Sequence, residues 1–155
     1  MPGKIDARLK ELGIELPQPA APVAAYVPFV RTGNQLFISG QITLVNGEVK
    51  HKAKLGAEYG VADGYEAARV CAINLMAQAK AALDGDLDRV VRVVKLVGFV
   101  NSTPDFTEQP KVVNGASELM VQVFGDAGRH ARSAVSAASL PLGVAVEVEA
   151  ILEVA

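Results

Sequence analysis

Arg89–Val100 narrows the possible folds more than any other stretch of the chain. It is rich in valine, and Arg92 and Lys95 are the only interruptions to an apolar run. Side chains alternate between the two sides of a strand. An extended segment of this kind is therefore apolar on both faces, and it predicts a central strand covered on both sides. The rest of the chain must supply that cover, or a second chain must.

The neighbouring segments supply half of it. Lys4–Leu12 sets Ile5, Leu9 and Leu12 on one face of a short helix. Pro17, Pro19 and Pro22, set among alanines, cannot continue it, so residues 1–25 read as an arm leading into one domain that spans 1–155. Val27–Arg31 and Gln35–Ser39 predict two strands joined at Thr32-Gly33-Asn34, with Gly40 ending the second. Asn46-Gly47 marks a further hairpin turn. From Asp63 to Leu83 apolar residues recur at helical spacing, with Asp63 as the cap and Gly85 as the stop. A second helix is predicted over Lys111–Phe124. Ser133–Ala137 reads as a short strand, and Leu140–Gly143 as a turn. Val144–Val154 alternates, with Val146, Val148, Ala150 and Leu152 on one face and Glu147, Glu149 and Glu153 on the other. The order of strands, helix, strand, helix and strands predicts an α+β fold with both helices on one face of a sheet. That leaves one sheet face bare, and a second copy of the chain is the natural cover.

Composition closes off several functions. Fifteen Lys and Arg against seventeen Asp and Glu give a net charge of −2, which argues against a nucleic-acid partner held by a broad basic face. No apolar run reaches the roughly 20 residues of a membrane span, and the charged N-terminus lacks a signal-peptide pattern. Cys71 is the single cysteine, so no disulfide and no cysteine metal cluster are expected, and a reducing cytoplasmic location is. With only His51 and His130, the sequence predicts no metal site.

Few residues are then left to carry chemistry. Arg132 offers a guanidinium fork that can grip a carboxylate in two parallel bonds. Glu147 is a carboxylate in mid-strand, Tyr26 follows the proline-rich arm, and Asn114 lies in the second predicted helix. Taken singly, each also fits an ordinary surface or packing role. His130 titrates near neutrality but has nothing close in sequence to orient it. Cys71 reads as a small core residue.

Three stretches together resemble the YjgF/Rid family, the reactive intermediate deaminases also known as endoribonuclease L-PSP. They are Tyr26–Gln41 (YVPFVRTGNQLFISGQ), Asn114, and His130–Ala155 (HARSAVSAASLPLGVAVEVEAILEVA). The resemblance runs from Ala25 to the end of the chain. It implies a chorismate-mutase-like mixed sheet with two helices on one face, closed into a homotrimeric barrel with clefts between subunits. It implies hydrolysis there of enamine or imine intermediates such as 2-aminoacrylate to a keto acid and ammonia, without a cofactor. Carried onto this sequence, Arg132 would bind the substrate carboxylate and Glu147 would hold the attacking water. Tyr26 from an adjacent subunit would close the pocket, Asn114 would line it, and the backbone at Ser133 and Ala134 would add polar contacts. Arg132 and Glu147 flank the Pro141-Leu142-Gly143 turn, so they are expected on neighbouring strands. Two other readings stand beside the deaminase reading: a non-catalytic binder of small carboxylates or keto acids using the same cleft, and an endoribonuclease, as the family label suggests. For the last, the chain offers no histidine pair, metal cluster or basic face with which to cut a phosphodiester. Ala134 stands where many deaminating relatives carry cysteine. The arm 1–24 and the segment Leu44–Ala62 depart from the compact family pattern, and that segment is expected near the cleft mouth.

Overall fold

The computed structural model describes residues 3–19 and 24–155. Its helices are α1 (Lys4–Glu11), α2 (Val61–Ala82) and α3 (Gln109–Phe124). Its strands are β1 (Phe29–Thr32), β2 (Gln35–Gln41), β3 (Leu44–Val45), β4 (Glu48–Val49), β5 (Val90–Asn101), β6 (Ala131–Ala137) and β7 (Val146–Val154). The main sheet runs β1-β2-β7-β5-β6, while β3 and β4 form a separate hairpin. β5 is the long apolar run of the sequence. It lies antiparallel to β7 and parallel to β6, reached through α3, so the sheet is mixed.

Alternation decides what packs where. Leu36 and Ile38 of β2, Leu96 and Val100 of β5, and Val146 and Val148 of β7 are buried beneath α2 and α3. The helices meet them with small residues and a few large ones, among them Ala68, Cys71, Leu75, Val112 and Leu119. The other sheet face has no cover among the described residues. Val30, Phe37 and Val135 are 53%, 40% and 46% exposed there, in a described chain whose helix side is closed. The expected arrangement of two helices on one face is present, and the opposite face is bare.

Three local expectations need correction. β2 does not stop at Gly40; it continues to Gln41 through an irregularity between Ile38 and Gln41, where a bulge absorbs the glycine. α2 begins before Asp63: Gly60 is the cap, and the Asp63 carboxylate accepts the Gly60 N–H at 3.1 Å. β6 and β7 are not neighbours, because β5 lies between them. The parallel crossover through α3 puts β6 on the far side of β5.

The described part of the arm is docked rather than loose. Leu9 of α1 is buried in the core. The Asp88 carboxylate accepts the Lys4 and Ile5 N–H groups at 2.9 Å each, filling the role of a cap from a distant turn. Arg8 Nε donates to the Gln122 carbonyl at 2.8 Å. Of the three prolines expected to shape the arm, Pro22 lies outside the described residues.

α2 and α3 touch backbone to backbone. A Cβ added at Gly115 would sit 1.9 Å from the Tyr65 carbonyl oxygen. Gly115→Ala gains at most about 1 kcal/mol in helix propensity and incurs about 1–3 kcal/mol of overpacking against a backbone that cannot swing away. The expected outcome is a lower denaturant midpoint for Gly115→Ala, read by circular dichroism; an unchanged or higher midpoint would mean that the helices separate freely.

Candidate functional site

β6 is an edge strand, and its alternation sends Arg132 and Ala134 toward α3 and Ser133 and Val135 toward the bare face. Arg132 lies opposite Leu96, which lies opposite Ala150, all on the helix side. Its Nη1 donates to Asn114 Oδ1 at 2.9 Å and to Ser117 Oγ at 3.2 Å, both from α3. Among the described residues no carboxylate comes within ion-pair distance of it. Burial pushes its pKa down. A half-buried guanidinium, held by neutral acceptors and lacking a counter-charge, is a ready anion site. The outer edge of β6 adds backbone groups turned away from β5, around Ser133 and Ala134.

Ser117 was not anticipated from sequence. Its signal was its place three residues after Asn114, on the same helical face. His130 also proves to be oriented, contrary to the sequence reading. Its Nδ1 lies 2.6 Å from the Gly128 carbonyl and its Nε2 lies 2.8 Å from Ser117 Oγ. Burial, with a smaller contribution from the Arg132 charge, lowers its pKa.

Glu147 lies elsewhere. It opposes Phe99, on the face that the helices leave bare. Its carboxylate lies over Gly40, where an added Cβ would fall 2.3 Å from Oε2. A larger residue there would make the carboxylate shift. Burial, then the neighbouring Glu149, raises its pKa. Tyr26 is exposed and borders a cleft of about 820 Å³ together with Ser39, Gly40, Asn74 and Leu142. Leu44, Asn46 and Gly47, from the Leu44–Ala62 segment, line the same cleft. Lys54 anchors that segment by donating to Asn101 Oδ1 at 2.7 Å and to the Ala138 carbonyl at 2.6 Å.

The residues singled out in the sequence therefore fall into two groups. Arg132, Asn114 and Ala134 lie on the helix side at the β6 edge. Across β5 from them, Glu147 lies on the bare face, and Tyr26 precedes β1 at the opposite edge of the sheet, where its cleft is also lined by Asn74 and Gln78 of α2. The expectation that Arg132 and Glu147 sit on neighbouring strands of one chain fails on topology and on alternation alike. Within one protomer they cannot share a water molecule. Among the described residues no three His, Cys, Asp or Glu side chains gather to hold a metal ion, and no helix is long and apolar enough to cross a membrane.

Residues 6–153 match the family described as "YjgF/chorismate mutase-like, putative endoribonuclease". The chain belongs to the YjgF family. It is 53% identical over 152 residues to Protein TCP17 of Trypanosoma cruzi, with 97% of this chain and 94% of that protein covered. The crystal structure of Atu1372 from Agrobacterium tumefaciens, described as of unknown function, is 49% identical, covers 97% of this chain and 92% of its own, and superposes with a TM-score of 0.92. RidA from an Antarctic Psychrobacter is more distant, at 29% identity and a TM-score of 0.61, over 88% of this chain and 94% of its own. The YjgF-like α+β architecture expected from sequence is thus matched in overall shape.

Cys71 takes no part in either group. It is fully buried, its thiol donates to the Val146 carbonyl at 3.4 Å, and burial pushes its pKa far up. The thiol should not react with an aromatic disulfide reagent in the native protein and should react at once in denaturant. Rapid native labelling would contradict this.

Proposed function

We propose that this YjgF-family protein hydrolyses carboxylate-bearing imines and enamines, such as 2-aminoacrylate, to keto acids and ammonia. The observation that carries the reading is the Arg132 guanidinium, held by Asn114 and Ser117 with no carboxylate partner among the described residues. The separation of Arg132 from Glu147 and Tyr26 supports a site completed between two copies. One copy supplies Arg132 and Asn114; its neighbour supplies Glu147 and Tyr26. The bare sheet face with Val30, Phe37 and Val135 supports closure of copies around it, as a homotrimer.

The proposed chemistry follows from these groups. The substrate carboxylate docks on the Arg132 fork, with Ser133 and Ala134 backbone groups beside it, and this fixes the position of the imine carbon. An enamine such as 2-aminoacrylate first takes a proton from solvent at its methylene carbon and becomes the iminium. Glu147 of the neighbouring copy then takes a proton from a water as the water oxygen bonds to the iminium carbon and the carbon–nitrogen π pair moves to nitrogen, leaving a neutral carbinolamine. Glu147 returns its proton to that nitrogen, the carbon–nitrogen bond breaks, ammonia leaves, and the hydroxyl proton passes to solvent as the keto group forms. An imine carbon is already electrophilic, so an oriented water and a carboxylate base suffice; such acid–base assistance is worth about 10²–10⁴-fold.

The test is a coupled assay in which a lyase generates 2-aminoacrylate and keto-acid release is followed. Arg132→Ala and Glu147→Gln should each remove the acceleration. Mixed and reassembled one to one, the two inactive variants should recover roughly a quarter of wild-type activity, since half the arginine positions and half the glutamate positions are intact in a closed ring. No recovery would place both residues' work within one copy and sink the shared site. Tight pyruvate binding with no acceleration would favour a non-catalytic carboxylate binder.

Glu147 must be ionised to accept the proton. Burial raises its pKa above the ordinary value of 4.5, so the rate should fall as pH drops through a midpoint above 4.5. A pH–rate profile with no acid limb above that value would contradict the role given to Glu147.

A further inference from the structure

Behind Arg132 runs a chain of hydrogen bonds whose direction is fixed at one end. The Gly128 carbonyl can only accept, so His130 Nδ1, 2.6 Å away, carries a proton. Burial and the Arg132 charge both disfavour the imidazolium. In the neutral ring Nε2 is then a bare acceptor, and the Ser117 hydroxyl at 2.8 Å must donate to it. With its proton committed there, the Ser117 oxygen presents lone pairs to Arg132 Nη1 at 3.2 Å. Asn114 Oδ1 accepts from the same nitrogen at 2.9 Å.

This order is not the default for a helical serine. Such a hydroxyl turns back to the carbonyl one turn earlier, here that of Val113, when nothing draws it away. His130 draws it away. The ring comes from the turn before β6, so it also ties α3 to the strand that carries Arg132.

We propose that His130 and Ser117 are positioning residues: the imidazole aims the Ser117 hydroxyl, and the hydroxyl holds Arg132 Nη1 so that the Nε/Nη2 edge faces outward to receive a carboxylate. The pair acts through Arg132. The inference rests on the carboxylate-binding reading given above, which it deepens by naming what sets the geometry of that grip. A guanidinium held on one nitrogen from behind keeps two parallel donors for a planar, two-oxygen ligand. A single-point anion needs no such alignment and gains nothing from it.

The experiment compares wild type with Ser117→Ala, His130→Leu and His130→Gln, after thermal melts establish that each is folded. Alanine is a good helix former, so Ser117→Ala should fold. Guanidinium NMR reads rotation of the Arg132 Nη1 group with no ligand present. Rotation should be slow in wild type, fast in Ser117→Ala and His130→Leu, and slow again in His130→Gln, whose amide oxygen can replace Nε2 as acceptor. Imidazole NMR should show His130 protonated at Nδ1 and bare at Nε2. Pyruvate is the binding probe: Ser117→Ala and His130→Leu should weaken it about tenfold, the loss of one charged hydrogen bond, while kcat in the coupled assay stays within about threefold of wild type. Chloride, the single-point control, should bind all four proteins alike.

Equal Nη1 rotation in wild type and Ser117→Ala, or a proton on Nε2 in place of Nδ1, overturns the inference. So does pyruvate binding that is unchanged in both disrupting variants. If wild type neither binds pyruvate nor accelerates imine hydrolysis, the functional reading fails instead; the rotation and tautomer measurements still decide whether the pair holds Arg132.

Discussion

Alternation along β5, β6 and β7 sends every second side chain to the helices and the remainder to a face that the described residues leave bare. Everything else in the account depends on that constraint. It buries Val146, Val148 and Ala150 under α2, and by the same count it commits Glu147 and Glu149 to the other side. It turns Arg132 toward α3 and Ser133 away from it. A slip of one residue in any of these strands would exchange the two sets, exposing the core and burying the charges, so the packing energy of the sheet enforces the placement of its reactive groups.

Two opposed electrostatic environments result. Arg132 is half-buried against α3 and is stabilised by neutral oxygens, which orient a cation without cancelling its charge. Glu147 is desolvated over Gly40 with Glu149 nearby, and its ionised form is disfavoured. Each alone is a cost to the folded chain. An anionic ligand offsets the first, and a cationic or proton-donating species offsets the second. Groups with opposite needs on opposite faces suit a site in which two copies meet, and the apolar surface around Glu147 supplies a reason for them to meet.

Much of the architecture was legible in the sequence because it follows from periodicity. The two-sided apolar run became β5, the alanine-rich helix became α2, and the Val/Glu alternation became β7. The position of β6 was not legible. Chain order suggested that strands joined by the Pro141-Leu142-Gly143 turn would pair, but a parallel crossover through α3 carried β6 past β5. Sequence proximity says nothing about such a crossing. Gly40 misled for a related reason: a glycine reads as a strand end, whereas here it admits the Glu147 carboxylate. At the candidate site, Arg132, Asn114, Tyr26 and Glu147 were named from a motif. The contact of Arg132 with Asn114 and Ser117 depends on a helix–strand packing that only the folded chain displays. His130 seemed unanchored because its two partners are a carbonyl two residues back and a serine on another element.

In the proposed shared site Arg132 receives a carboxylate and Glu147 of a second copy faces it. The decisive experiment is a crystal structure of the assembled protein soaked with pyruvate. Both carboxylate oxygens should lie on the Nε/Nη2 edge of Arg132, with a neighbouring copy's Glu147 within one water of the keto carbon. Pyruvate bound away from Arg132, or an assembly that leaves Glu147 far from every Arg132, would contradict it.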